Sequence, residues 1–142
     1  MARPTSAVVD ASVAAKWFLE EENSEEALAL RDAHVRGDII LAAPALIVYE
    51  VSNALRYHPR IGSRLLAEHV GDLFDLQIRL DDPTEDGLAE AIDVAYRTGI
   101  TVHDASYVAL AERLDWPLIT ADGIQKNAAP GRARDLRRWA EG

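Results

Sequence analysis

The chain has 142 residues, a net charge of −9 and no cysteine. Its length fits one domain, and the lack of cysteine excludes a disulfide framework, thiol catalysis and a cysteine-ligated zinc site. No apolar run approaches the roughly 20 residues that span a bilayer and no signal-peptide pattern is visible, so we expect a cytoplasmic protein that does not bind membranes. The acidity alone disfavours a nucleic-acid-binding protein, unless cations bind in an acidic pocket and reverse its field.

Short apolar runs predict strands at SAVVD, DIILAAP, QIRL and PLIT. Amphipathic spacing and capping residues predict helices at ASVAAKWFLE, from Ser24 to a stop at Gly37, from Pro44 to about Tyr57, from Ile61 to Phe74, from Thr84 to Thr98 with a stop at Gly99, and from near Asp104 to the WP pair. The tail after Pro130 fits either a weak strand or a basic helix. The alternation of strands and helices predicts an α/β fold with a mostly parallel central sheet flanked by helices.

Two acidic residues follow predicted strands. Asp10 ends the first strand, and Asp122 lies just beyond the fourth. Sites in open parallel sheets form outside the carboxyl ends of the strands, so both acids are expected at one edge of the sheet. A helix N-cap role for Asp10 and an ordinary turn aspartate at Asp122 remain open alternatives.

Two further acidic residues occur on apolar faces of predicted helices. At 100° per residue, Glu50 falls on the border of the apolar arc of its helix, and Asp104 projects inside the arc of its own helix. A carboxylate aimed at the core must be paired, protonated or bound to a metal, and no lysine or arginine occupies these faces. A capping role for Asp104 is the alternative.

A single pocket around a divalent cation accounts for all four acids. Ligands that are only oxygen atoms select hard ions such as Mg2+ or Mn2+. A cation also removes the mutual repulsion of close carboxylates, and it activates water and binds phosphate during in-line attack. The four acids therefore predict a divalent-cation site that could act on a phosphate.

The segments VVDASVAAKWF, VYEVSNAL, TVHDASYVALA and LITADG resemble the successive motifs of PIN-domain nucleases, and most closely those of VapC-type toxins of toxin–antitoxin pairs. The resemblance implies one PIN domain over residues 1–142, with the edge at about 129–142 unresolved by sequence. It implies an endoribonuclease that uses Mg2+ or Mn2+, forms a homodimer and is inhibited by a VapB-like antitoxin. We assign catalysis to Asp10, Glu50, Asp104 and Asp122, and cation binding to Asp10, Asp104 and Asp122.

Three polar residues near these acids are expected to support them. Ser12 is placed to hold the Asp10 carboxylate or a bound water, and Asn53 lies one turn beyond Glu50 and would orient it. Thr120 is expected to bond a ligand or phosphate oxygen. The alternative for Ser12 is helix capping. The alternatives for Asn53 and Thr120 are a polar surface position and a strand-end position without a role.

Basic residues near the acid-bearing segments are the expected RNA contacts. Lys16 and Arg56 are preferred because each follows such a segment, whereas the basic C-terminal run is interpreted as a solvated face. His103 is a weaker candidate for a general base, since a metal-bound water needs none. Tyr107 is interpreted as a core residue.

Other functions fit the sequence less well. A signalling receiver domain requires a pair of acids after the first strand and a lysine after the last, and a haloacid-dehalogenase-type phosphatase requires Asp-x-Asp where this chain has Asp-Ala-Ser. An inactive PIN-like binding module is disfavoured by the presence of all four acids. A housekeeping PIN nuclease in RNA processing remains the alternative to the toxin.

Four apolar residues are candidates for the interface of the homodimer, with core packing as the alternative: Trp17, Phe18, Leu65 and Leu66.

Overall fold

The computed structural model describes residues 3–141, so the predicted domain limits at 1 and 142 lie outside the described residues. The strands are β1 (Ser6–Val9), β2 (Ile40–Pro44), β3 (Arg79–Asp81), β4 (Leu118–Thr120) and β5 (Ala133–Asp135). The α-helices are α1 (Ala11–Ala14), α2 (Ser24–Val35), α3 (Ile47–Arg56), α4 (Ser63–Asp75), α5 (Glu85–Thr98), α6 (Val102–Leu114) and α7 (Gly123–Ala128). Short 3-10 turns follow α1 at Ala15–Trp17 and β5 at Leu136–Arg138.

The five strands form one sheet in the order β3-β2-β1-β4-β5, and all four pairings are parallel. The predicted α/β fold with a parallel central sheet is therefore confirmed. The central strands are apolar on both faces because helices cover both, and Val8, Val9, Leu118 and Ile119 are fully buried. Each such side chain contributes about 1.5–3 kcal/mol by leaving water.

The strand order reverses beside β1. The chain runs from β1 outward to β2 and β3, and then returns to the other side of β1 for β4 and β5. Connections that leave the carboxyl ends of β1 and β4 therefore diverge, and a crevice remains between them. The Asp10 and Asp122 positions lie at this crevice, because Asp10 follows β1 and Asp122 follows β4.

Local chemistry explains most element boundaries. Thr84 caps α5 by accepting a hydrogen bond from the Gly87 N–H at 3.0 Å, and Gly99 ends that helix with φ of 81°, a left-handed conformation that glycine adopts without strain. Gly37, with φ of 82°, follows α2 in the same way. These boundaries agree with the sequence prediction.

Other boundaries differ from prediction. Pro44 does not begin α3 but is the last residue of β2, and the next residue, Ala45, continues the contact with β3 by donating its N–H to the Asp81 carbonyl at 2.9 Å. The third strand begins at Arg79, because Gln77 has a φ of 54° and terminates α4. The predicted first helix becomes one α-helical turn followed by a 3-10 turn. The tail after Pro130 contains both a short strand and a 3-10 turn, and α7 was not predicted.

Trp17 joins the 3-10 turn after α1 to α2. Trp17 is 6% exposed, and its indole N–H donates to the Ala27 carbonyl at 2.8 Å. This residue therefore belongs to the core rather than to an exposed interface. Leu65 is the most exposed of the four proposed interface residues, at 38%, whereas Phe18 and Leu66 are half-buried.

Among residues 3–141, no helix has both the length and the apolar character that a transmembrane segment requires.

Candidate active site

A cavity of about 560 Å³ opens at the carboxyl ends of β1 and β4. We call it the acid cavity, and its main lining residues are Asp10, Ser12, Lys16, Glu50, Asp104, Tyr107, Asp122 and Gln125. All four acids expected from sequence therefore line one space, although they come from four separate segments of the chain. A second groove, of about 360 Å³, is lined mainly by apolar residues and contains none of these acids.

Asp10 lies at the base of the acid cavity and is only 3% exposed. Its carboxylate accepts hydrogen bonds from the hydroxyls of Ser12, at 2.5 Å, and Thr120, and from the Val13 N–H at 3.3 Å. Burial raises the pKa of Asp10 from 3.8 to about 6, these hydrogen bonds oppose the rise, and the nearby charge of Asp122 adds to it. A buried carboxylate with a raised pKa is typical of functional sites.

Asp10 also caps α1 through the Val13 bond, so the alternative capping role is real but does not describe the whole environment. The supporting contact predicted for Ser12 is present, and the Ser12 oxygen also accepts the Ala121 N–H at 3.1 Å. One hydroxyl therefore links the segments that follow β1 and β4. Thr120 is fully buried and donates to Asp10, so the expected bond to a ligand oxygen is replaced by a bond to this carboxylate.

Asp122 caps α7, since its Oδ1 accepts the Ile124 N–H at 2.8 Å. Its own N–H donates to the Thr120 oxygen at 2.9 Å. The predicted turn role is therefore present, and the same residue lines the acid cavity. Thr120 fixes both aspartates because its oxygen contacts Asp10 on one side and Asp122 on the other.

Glu50 projects from the first turn of α3 and is half-buried. Its Oε1 accepts a hydrogen bond of 2.5 Å from the Tyr107 hydroxyl, which holds the carboxylate at the cavity wall. Burial raises the pKa of Tyr107, and the bond to Glu50 and the charges of Glu50, Asp10 and Asp104 raise it further. The tyrosine therefore stays a neutral donor beside three carboxylates. Sequence reasoning identified its burial but missed its hydroxyl contact.

Asp104 lies in the first turn of α6 and is half-buried. Thr101 caps this helix by accepting the Asp104 N–H at 3.1 Å, so the alternative capping role for the Asp104 side chain is wrong. The Asp104 carbonyl accepts a 3.0 Å hydrogen bond from Gln125 Nε2. Sequence reasoning missed Gln125, whose only signal was a polar residue one helical turn after Asp122.

The remaining predicted residues do not all lie in the acid cavity. Lys16 lines the acid cavity, and its Nζ contacts Glu21 Oε1 at 3.2 Å and the Glu22 carbonyl at 2.8 Å. Asn53 and Arg56 line a neighbouring open groove, which Glu50 also borders, rather than the acid cavity. Among the described residues Asn53 makes no hydrogen bond to Glu50, so the predicted orienting role is taken by Tyr107.

His103 is exposed and lies in the apolar groove and the open groove, away from the acid cavity. His103 thus shares the open groove with Glu50, but it does not line the cavity that contains all four acids.

Acidic side chains outnumber basic ones in the lining of the acid cavity, where Lys16 lies among Asp10, Glu21, Glu50, Asp104 and Asp122. Gln125 also lines this cavity, and its buried Oε1 has no hydrogen-bond partner in the described part of the chain. This excess of acceptors suits a hard divalent cation. Within residues 3–141, however, no three acidic or histidine side chains form a ready set of metal ligands. The residue types that line the acid cavity nevertheless suit a divalent cation.

Comparison with known proteins identifies the family of the chain. The PIN domain family model matches residues 7–130, a range that contains all four acids. Ribonuclease VapC3 from Pyrobaculum aerophilum is 36% identical over 122 residues, which cover 81% of this chain and 88% of that protein. The crystal structure of PAE2754 from the same organism has a TM-score of 0.69 at 27% identity, with 97% of both chains covered.

A more distant likeness concerns the fold alone. FitAcB from Neisseria gonorrhoeae has a TM-score of 0.61 at 21% identity, covering 92% of this chain and 98% of that one. The family model covers most of the chain, from residue 7 to residue 130. The chain therefore belongs to the PIN domain family.

Proposed function

We propose that this protein is an endoribonuclease that hydrolyses RNA phosphodiester bonds with Mg2+ or Mn2+ and acts as the toxin of a toxin–antitoxin pair. The observation that carries the proposal is the acid cavity, which acidic residues from four segments line at the edge of the sheet. The family membership and the relative named Ribonuclease VapC3 support the ribonuclease activity.

Asp10, Asp104 and Asp122 would hold the cation, and Glu50 completes the catalytic set. A divalent cation in such a site supplies water activation and neutralises phosphate charge. Ser12 and Thr120 hold the Asp10 carboxylate through hydroxyl donors, and thereby keep it ionisable despite its burial.

Other residues of the chain orient the site and bind the substrate. Tyr107 holds Glu50 at the cavity wall. Lys16 lies at the same cavity and would bind a substrate phosphate in place of its present partners, the Glu21 carboxylate at 3.2 Å and the Glu22 carbonyl at 2.8 Å. Arg56 would bind the RNA backbone along the adjacent open groove.

The test of this function is cleavage of single-stranded RNA by purified protein, with Mn2+, Mg2+ or EDTA. Asp104→Asn should lower the rate by at least about tenfold to a hundredfold by removing a charged ligand. Asp93→Asn is the matched control, because Asp93 is an exposed acid on α5, with 78% of its side chain accessible. Equal rates for wild type and Asp104→Asn, or a rate unaffected by EDTA, would contradict the assignment.

The biological role is tested by growth. The motif resemblance to VapC-type toxins leads us to propose a cytoplasmic homodimer that a VapB-like antitoxin inhibits. An arginine of the antitoxin would pair with the carboxylates of the acid cavity.

Expression of the protein alone should arrest growth, and the product of an adjacent small gene should relieve the arrest. Expression of the Asp10→Asn variant should not arrest growth. Equal growth for both proteins at matched levels would favour the housekeeping nuclease, and a monomer at tens of micromolar by light scattering would refute the dimer.

A further inference from the structure

Gln125 is the one described residue with a buried side-chain atom that lacks a hydrogen-bond partner within residues 3–141. It is 1% exposed, lines the acid cavity, and lies in α7 three residues after Asp122. An unpaired buried amide oxygen is costly, whereas an apolar side chain of similar volume would fill the same space without that cost. The polar group at this position therefore needs an explanation beyond packing.

The amide nitrogen of Gln125 supplies part of that explanation. Nε2 donates to the main-chain oxygen of Asp104 at 3.0 Å. Asp122 begins α7 as its N-cap, and Asp104 lies in the first turn of α6. One side chain thus joins the helix that begins at Asp122 to the residue Asp104 itself.

We propose that Gln125 is a positioning residue of the nuclease site, which sets the spacing of Asp104 and Asp122 and thereby the affinity for the divalent cation. The inference rests on the proposed function, because it assigns Gln125 to the cation that this function requires. The second amide atom, Oε1, is a buried hydrogen-bond acceptor without a partner among the described residues, in a side chain that lines the acid cavity. A partial negative charge at this place favours a nearby cation in the same sense as the carboxylates do.

The experiment compares Mn2+ binding to the full-length wild type, Gln125→Leu and Gln125→Met. Binding is followed by the electron paramagnetic resonance signal of free Mn2+, with no RNA present. Groups that orient metal ligands typically change metal affinity by 10–100-fold, so each variant should raise the Kd for Mn2+ by about tenfold. Asn127→Ala is the matched control, since Asn127 is an exposed residue on the same helix and should bind Mn2+ as the wild type does.

Two further measurements separate positioning from a structural role. RNA cleavage by Gln125→Leu should fall at limiting Mn2+ and return to within about twofold of the wild-type kcat at saturating Mn2+. In EDTA the melting temperature of both variants should equal or exceed that of the wild type, because the unpaired oxygen is removed. Wild-type Kd values in both variants, or loss of folding in both, would overturn the inference alone. Absence of Mn2+ binding to the wild type would overturn the proposed function, and the inference with it.

Discussion

Replacing Asp10 by asparagine should stabilise the metal-free protein while abolishing its activity. Burial raises the pKa of Asp10 from 3.8 to about 6. One pKa unit corresponds to about 1.4 kcal/mol, so ionised Asp10 costs the native state about 3 kcal/mol at pH 7. Asparagine removes this cost. In the wild type the Thr120 hydroxyl donates to the Asp10 carboxylate, whereas the amide of asparagine would present an N–H group to that hydroxyl. The mismatch costs about 1 kcal/mol. The net gain is about 2 kcal/mol.

The pH dependence has a definite sign. Between pH 4 and pH 6 the native state keeps a proton on Asp10 that the unfolded chain has already lost, so the wild-type free energy of unfolding falls as pH rises through this window. Asp10→Asn lacks this contribution. The stability advantage of the variant should therefore be absent below about pH 4 and complete above about pH 6.

Urea unfolding in EDTA at several pH values measures the difference. Asp93→Asn is the control, because an exposed acid changes stability by no more than about 0.5 kcal/mol. Saturating Mn2+ should reverse the order, since a cation at a hundred times its Kd stabilises the wild type by about 2.7 kcal/mol and the variant has lost a ligand. An Asp10→Asn protein that is less stable than the wild type at pH 7 in EDTA would refute the reasoning.

Two other predictions concern contacts around the site and the C-terminal segment. Tyr107→Phe removes the 2.5 Å hydrogen bond to Glu50 and should lower RNA cleavage by about tenfold, with less than about 1.5 kcal/mol lost in urea unfolding; an unchanged rate would show that Glu50 needs no orienting donor. Asp135→Asn should destabilise the protein at pH 7, because hydrogen bonds from Arg137 and Lys126 hold the pKa of Asp135 below its usual range. That difference should shrink as pH falls below about 4, and a constant difference from pH 7 to pH 2 would contradict it.

The sequence predicted those features that local chemistry or strand position determines. Thr84 and Gly99 mark the ends of α5 because capping and left-handed glycine act within a few residues. Asp10 and Asp122 were placed at one edge because the carboxyl ends of parallel strands coincide there. Both inferences need only the order of elements along the chain.

Contacts between distant segments were not predictable in this way. Tyr107 and Glu50 are 57 residues apart, and their hydrogen bond depends on how α3 and α6 pack. Periodicity assigned Tyr107 to the core correctly but could not say what its hydroxyl would meet. The helix α7 escaped detection because its six residues, GIQKNA, are too few to show an amphipathic period.

The central position of β1 affects the order in which the protein becomes active during its synthesis. β1 is the first of the five strands to emerge from the ribosome. Its neighbour β4 is made much later, because Val8 of β1 pairs with Leu118, which lies 110 residues further along the chain. At roughly 5–20 residues per second, about 5 to 20 s separate the two strands. Until β4 and Asp122 arrive, the nascent chain holds at most three of the four acids and one side of β1 remains unpaired. A partial translation product is thus expected to lack the complete acid cavity, and with it the chemistry that needs all four acids.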